Sequence, residues 1–121
     1  MTVELDLAAG TTTPWTAVCT VHDLPRERGA AALVGTTQVA LFRTFDDTVY
    51  AVQQLDPFSG AHVMSRGIVG TRGGRPTVAS PMHKQVYDLR TGECLDVSGV
   101  AVPTYPIRCN GDTVEVAVER P

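Results

Sequence analysis

The sequence predicts an all-β fold in a single domain, and three observations carry that prediction. Short runs rich in Val, Thr and aromatic residues recur along the chain, separated by glycine, proline and Asn/Asp clusters that favour turns. Several of these runs alternate with a period of two, as in Val39 and Leu41, Val49 and Ala51, and Val114, Val116 and Val118. No segment sustains the 3.6-residue period of a long amphipathic helix. At 121 residues the chain is long enough to bury one core without a metal or disulfide staple.

In chain order, the Thr/Ala/Gly-rich start reads as a flexible tail over 1–13, with the domain occupying 14–121. Trp15 to Val21 is apolar and β-branched, a first strand in which Trp15 covers one end of the core. His22 to Gly29 is a polar connection that Pro25 and Gly29 keep from being helix. Ala30 to Val34, Gln38 to Arg43 and Thr48 to Gln53 then form an antiparallel meander, turned by Gly35-Thr36-Thr37 and by Asp46-Asp47. Tyr50 is accounted for as a core or sheet-face aromatic.

Between Asp56 and Pro76 the pattern breaks, with glycines at 60, 67, 70, 73 and 74 and a single helical turn within Ala61 to Ser65. A long loop of this kind is a functional surface or disordered. From Arg75 to Leu95 the chain reads as strand, tight loop, strand and closing turn. Val78 centres the first strand, and Ser80-Pro81 ends it because proline offers no ladder N–H. Gln85 to Leu89 is extended, with Val86 and Asp88 on one face and Tyr87 and Leu89 on the other. Arg90-Thr91-Gly92 supplies the reversal. Val100 to Cys109, broken by Pro103 and Pro106, suits an edge strand or a crossover between sheets. Asn110-Gly111 marks a hairpin into the last strand.

A net charge of −3 argues against nucleic acid or an anionic membrane as the main partner, since both require a basic face. No apolar run approaches membrane length, and the N-terminus lacks the basic and apolar regions of a secretory signal, so the expected compartment is the cytoplasm. The three cysteines are odd in number and show no C-x-x-C spacing. They read as free thiols, Cys19 and Cys109 as small core hydrophobes, while Cys94 has no second ligand at metal-binding spacing.

Other chemistries find little support. Gly70 to Arg75 is glycine-rich, but neither the lysine-hydroxyl pair nor the helix of a phosphate loop follows it. His22, His62 and His83 have no metal-ligand spacing. Ser80 stands three residues before His83, yet no orienting acid is evident for a nucleophilic triad.

The stretches Asp56-Pro57-Phe58-Ser59-Gly60 and Ser80-Pro81-Met82-His83, the latter followed by Val86-Tyr87-Asp88-Leu89-Arg90-Thr91-Gly92, resemble the two ligand loops and the D-L-x-T-G turn of Rieske-type iron–sulfur domains. Those domains carry C-x-H in the first loop and C-P-x-H in the second. Here Asp56, Phe58 and Ser80 stand at ligand positions and His83 alone keeps its type. A Rieske centre needs two thiolates and two imidazoles, so the resemblance implies a Rieske-like antiparallel β-sandwich with a ligand-loop subdomain and no cluster, metal or cofactor in this chain.

Together with Met64-Ser65-Arg66-Gly67-Ile68-Val69-Gly70, these loops are similar to those of one branch of the family. It is the branch formed by the small subunits of assimilatory NAD(P)H-dependent nitrite reductases, and the match runs from about Trp15 to Val118. The resemblance implies a non-catalytic subunit that binds a large subunit, on which flavin, an iron–sulfur cluster and sirohaem carry electrons from NAD(P)H to nitrite. The loop tip then becomes the partner-binding face, with Met82, His83 and Lys84 in contact and Arg66 and Arg72 as rim charges. Phe58 either fills the volume of the missing cluster or touches the partner. The alternative is a Rieske-type [2Fe–2S] ferredoxin, against which Asp56, Phe58 and Ser80 count.

Overall fold

The computed structural model describes residues 15–118; the tail expected over 1–13 and residues 119–121 lie outside them. Ten strands form three antiparallel sheets. β1 (Trp15–Thr20), β9 (Ile107–Asn110) and β10 (Thr113–Ala117) make one, in the order β1-β10-β9. β2 (Arg28–Val34), β3 (Thr37–Arg43), β4 (Val49–Gln53) and β8 (Thr104–Tyr105) make a second, in that order. β5 (Ile68–Arg72), β6 (Arg75–Ala79) and β7 (Val86–Asp88) make the third.

The four-stranded sheet is the shared wall, because β3 is apolar on both faces. Val39 and Leu41 join Val49, Ala51, Val114 and Val116 in a core against the β1-β10-β9 sheet. Ala40 and Phe42 point the other way, into a second core with Val78, Tyr87, Leu89 and Cys94 from the β5-β6-β7 side. A strand covered on both faces loses the alternation of a half-buried one and reads as a continuous apolar run. The expected meander is present in register, Ala30 opposite Leu41 and Leu41 opposite Ala51.

Several elements differ from expectation. The loop between Asp56 and Pro76 contains β5, paired with β6 through a two-residue Gly73-Gly74 turn in which both φ are positive (57° and 79°). This is hairpin chemistry, hidden in the sequence because Gly67, Gly70, Gly73 and Gly74 interrupt the β-forming Ile68, Val69 and Thr71. The helical turn lies at Met64–Arg66 as a 3-10 turn. A second one, Val21–Asp23, closes β1, and it delivers Leu24 into the core from a connection that otherwise reads as polar. The C-terminal hairpin turns on Gly111 and Asp112, one residue later than the Asn110-Gly111 reading, with Gly111 at φ 63°. Val100 to Cys109 is a crossover, β8 pairing with β4 and β9 with β10 on either side of Pro106.

The cysteine expectation needs correcting. Cys109 is exposed because β9 is the outer strand of its sheet, Cys19 is half-buried, and Cys94 is the buried thiol, drawn into the core by its bridge to Tyr87. Asp88 is also buried, beside Tyr87 and Leu89, because its carboxylate serves the turn that follows.

Candidate functional site

The stretches Asp56-Pro57-Phe58-Ser59-Gly60-Ala61 and Ser80-Pro81-Met82-His83-Lys84-Gln85 fold into the same loop twice. In the first, the Asp56 N–H donates to the Ala61 carbonyl (2.8 Å) and the Gly60 N–H to the Asp56 carbonyl (2.8 Å). In the second, the Ser80 N–H donates to Gln85 (2.9 Å) and the Lys84 N–H to Ser80 (3.0 Å). The side chain of the first residue accepts from the N–H two positions on, Phe58 to Asp56 Oδ1 at 2.9 Å and Met82 to Ser80 Oγ at 3.3 Å. This is why both loops begin with a short polar residue: its side chain supplies the acceptor that a tight turn lacks. The fifth residue of each has positive φ, Gly60 at 73° and Lys84 at 63°.

The two loops are tied to each other by one bond. The Ser80 hydroxyl donates to Asp56 Oδ2, and both residues are completely buried. Burial pushes the Asp56 carboxyl up, but the hydrogen bonds from Ser80, Phe58 and Ser59 outweigh it and hold its pKa below the usual carboxylate range. Beneath them lies Tyr87, whose hydroxyl is buried without a protein partner; burial first, and then the Asp56 charge, push its pKa up.

By the loop resemblance drawn from the sequence, these stand where a Rieske-type domain places its thiolates, and the donor set here does not fit a [2Fe–2S] cluster. An aspartate and a serine bonded to each other replace the two sulfur ligands, and Phe58 replaces one imidazole. Cys94 sits in the core, and no three His, Cys, Asp or Glu side chains among the described residues are grouped to hold a metal. The ferredoxin alternative therefore lacks its ligands in space as well as in sequence.

The site residues named from the sequence fall into two groups. Met82, His83 and Lys84 are exposed on the second loop, and Arg66 is exposed on the 3-10 turn, which Gln54 pins beside the first loop through two hydrogen bonds to Ser65 (2.9 and 2.7 Å). Arg72 is exposed too, but its charge is matched by Asp96 at 2.8 Å. Phe58 is 39% exposed and occupies the position in the first loop that Met82 occupies in the second. Sequence reasoning missed Ile68, 75% exposed and paired with Ala79 at the base of the second loop.

It also missed that Asp88-Leu89-Arg90-Thr91-Gly92-Glu93 is a third copy of the loop. The Asp88 N–H donates to Glu93, Gly92 to Asp88, and Arg90 to Asp88 Oδ1. The signal was legible, since a short acceptor is followed four residues later by Gly, Lys or Gly at 56, 80 and 88. A separate cleft of about 470 Å³ between Phe45, Tyr50, Arg90 and the Gly73-Gly74 turn contains none of the tip residues.

A β-sandwich bearing a small three-stranded sheet and paired loops at its tip defines a Rieske-like domain, and the family model for the Rieske-like [2Fe–2S] domain matches residues 14–117. The chain is 36% identical over 103 residues to the nitrite reductase (NADH) small subunit of Escherichia coli K12, covering 84% of this chain and 95% of that one. A structure described as an NADH-dependent nitrite reductase small subunit from Mycobacterium tuberculosis is 49% identical, with TM-score 0.84 over 88% of this chain and 96% of the other. This chain belongs to the Rieske-like family, in its branch of nitrite reductase small subunits. It is also 43% identical over 103 residues, 85% of its length, to a segment of the nitrite reductase [NAD(P)H] large subunit of Klebsiella oxytoca, of which it spans only 11%. No helix among the described residues is long and apolar enough to cross a membrane.

Proposed function

We propose that this chain is the non-catalytic small subunit of a cytoplasmic NAD(P)H nitrite reductase, reducing nitrite to ammonia, and that it binds the large subunit through its loop tip. On this reading flavin, iron–sulfur cluster and sirohaem belong to the large subunit. The observation that carries it is the Asp56–Ser80 bond. The family's loops are kept in shape, while the ligand positions that would make them a redox centre are bonded to each other. A tip preserved in form without its electron carrier fits a surface for binding. The match to a segment of a large-subunit chain supports the same pairing, because there a similar domain shares one polypeptide with its partner.

The test is co-purification of this chain with the large subunit, and NAD(P)H-dependent nitrite turnover with and without it. Stable association and a turnover that depends on the chain are expected, with no stoichiometric iron in the isolated chain expressed under iron and sulfide supply. Bound [2Fe–2S], seen by paramagnetic resonance after reduction, would end this reading.

A further inference from the structure

The surface charge of the tip is opposite in sign to that of the chain. From Pro57 to Ile68, and again from Pro81 to Gln85, there is no Asp or Glu, although the net charge of the whole is −3. Asp56 itself is buried and bonded to Ser80. The same two stretches carry Arg66, Lys84, His62 and His83, all exposed and none within ion-pair distance of a carboxylate among the described residues. The other described cations are held against carboxylates, Arg28 apart. Arg28 faces elsewhere: Gly29 packs against the Ser65 carbonyl, so strand alternation turns Arg28 to the opposite side of β2.

Among Arg66, Lys84 and the two imidazoles stand three of the large exposed apolar side chains, Phe58, Met82 and Ile68. Phe58 and Met82 occupy matching positions of two loops joined by Asp56 and Ser80, and Ile68 adjoins the base of the second. An apolar centre with a charged rim is the anatomy of a docking surface. A second copy of the chain is a poor occupant, because a two-fold contact through this face would set its cations against themselves. Two full cations on a chain of net negative charge are also too few for nucleic acid.

We propose that the tip docks onto an apolar patch with an acidic rim on the large subunit, with Phe58, Ile68 and Met82 as anchors and Arg66 and Lys84 as steering charges. This rests on the small-subunit reading above, and it removes Arg72, already neutralised by Asp96, from the interface.

The experiment measures association and dissociation rates of the full chain with its large subunit across a range of salt, using variants whose thermal melting matches the wild type. Phe58→Ala and Ile68→Thr should each weaken affinity roughly 10-fold or more, chiefly through faster dissociation. Arg66→Glu with Lys84→Glu should slow association by about 10-fold at low salt and flatten its salt dependence, while Arg72→Gln should change neither. If the wild type binds but the Phe58 and Ile68 variants bind equally well, the face is wrong. Loss of affinity with an unchanged salt slope in the charge variants would overturn the acidic rim. Variants that alter only self-association, read by sedimentation, would assign the face to a second copy and overturn the proposal. If the wild type shows no binding to the large subunit, it is the small-subunit reading itself that fails.

Discussion

The loop at Asp88 and the two loops of the tip share one backbone design but are held in different ways. At Asp88 the buried carboxylate faces Arg75 at 3.8 Å and Arg90 at 3.6 Å, and Gly92 is wedged so that an added Cβ would lie 1.9 Å from the Val102 carbonyl oxygen. The third loop is thus built into the domain around it. At the tip, Gly60 has open space where its side chain would be, and the acid at the head of the first loop is answered by a neutral hydroxyl from the second. The tip loops hold mainly each other. The same turn serves as framework when its neighbours lock it and as a presented surface when they leave it free.

The strongest challenge to this contrast is alanine at the matching glycines. Gly92→Ala places a side chain both at φ 80° and inside the reach of a backbone oxygen, and should cost about 3 kcal/mol or more in urea melts. Gly60→Ala meets only the conformational cost, about 1 kcal/mol. Equal losses at the two sites would break the comparison. Next in size is the tie between the loops. Asp56→Ala strands the Ser80 hydroxyl and the Phe58 N–H, and Ser80→Ala strands a buried carboxylate oxygen and the Met82 N–H, so each should lose about 2–3 kcal/mol. A double-mutant cycle should show a coupling of roughly 1–2 kcal/mol, and additive losses would mean that the bond does not join them.

Acid sharpens the point further. Because the folded chain holds the Asp56 carboxyl below its ordinary value, the stabilisation is complete above about pH 4, the unfolded value, and is lost as pH falls through the folded pKa. Asp56→Asn should remove that part of the acid sensitivity, measured as a flatter fall of melting temperature below pH 4 than in the wild type. The smallest expected effect is at Lys84, the one non-glycine at the fifth position of the three loops, with φ 63°. Lys84→Gly should raise stability by about 0.5–1 kcal/mol in the same urea melts. A gain in stability joined to slower association with the large subunit would show a strained residue retained for contact.

Much of the fold was legible because local chemistry and tertiary structure agree. The meander, the final strand and the Pro106 crossover follow from alternation and turn residues that the packing leaves intact. β5 was not legible: glycines at 67, 70, 73 and 74 break up its pattern, and it becomes a strand because Gly73 and Gly74 fold it back on β6. Cys109 was misplaced since a β-branched neighbourhood says strand without saying which strand lies at the edge. At the site, the missing ligands could be counted from sequence, but the Asp56–Ser80 bond joins residues 24 positions apart, and nothing local announces it. Arg72 looked free for the same reason, its partner Asp96 being equally distant along the chain.

The pairing of β1 with β10 sets Trp15 directly opposite Ala117. Strand neighbours lie about 5 Å apart, so the domain is entered and left at nearly one point, on a sheet that takes no part in the tip. A fold of that shape can be spliced into a host polypeptide like a loop, with its distal end free to swing onto a surface. A similar segment makes up 11% of the Klebsiella large subunit, a longer chain. Tethered in this way, the tip would meet its surface at an effective concentration set by the linkers rather than by the cell, so a contact too weak to hold two separate chains together could still suffice within one.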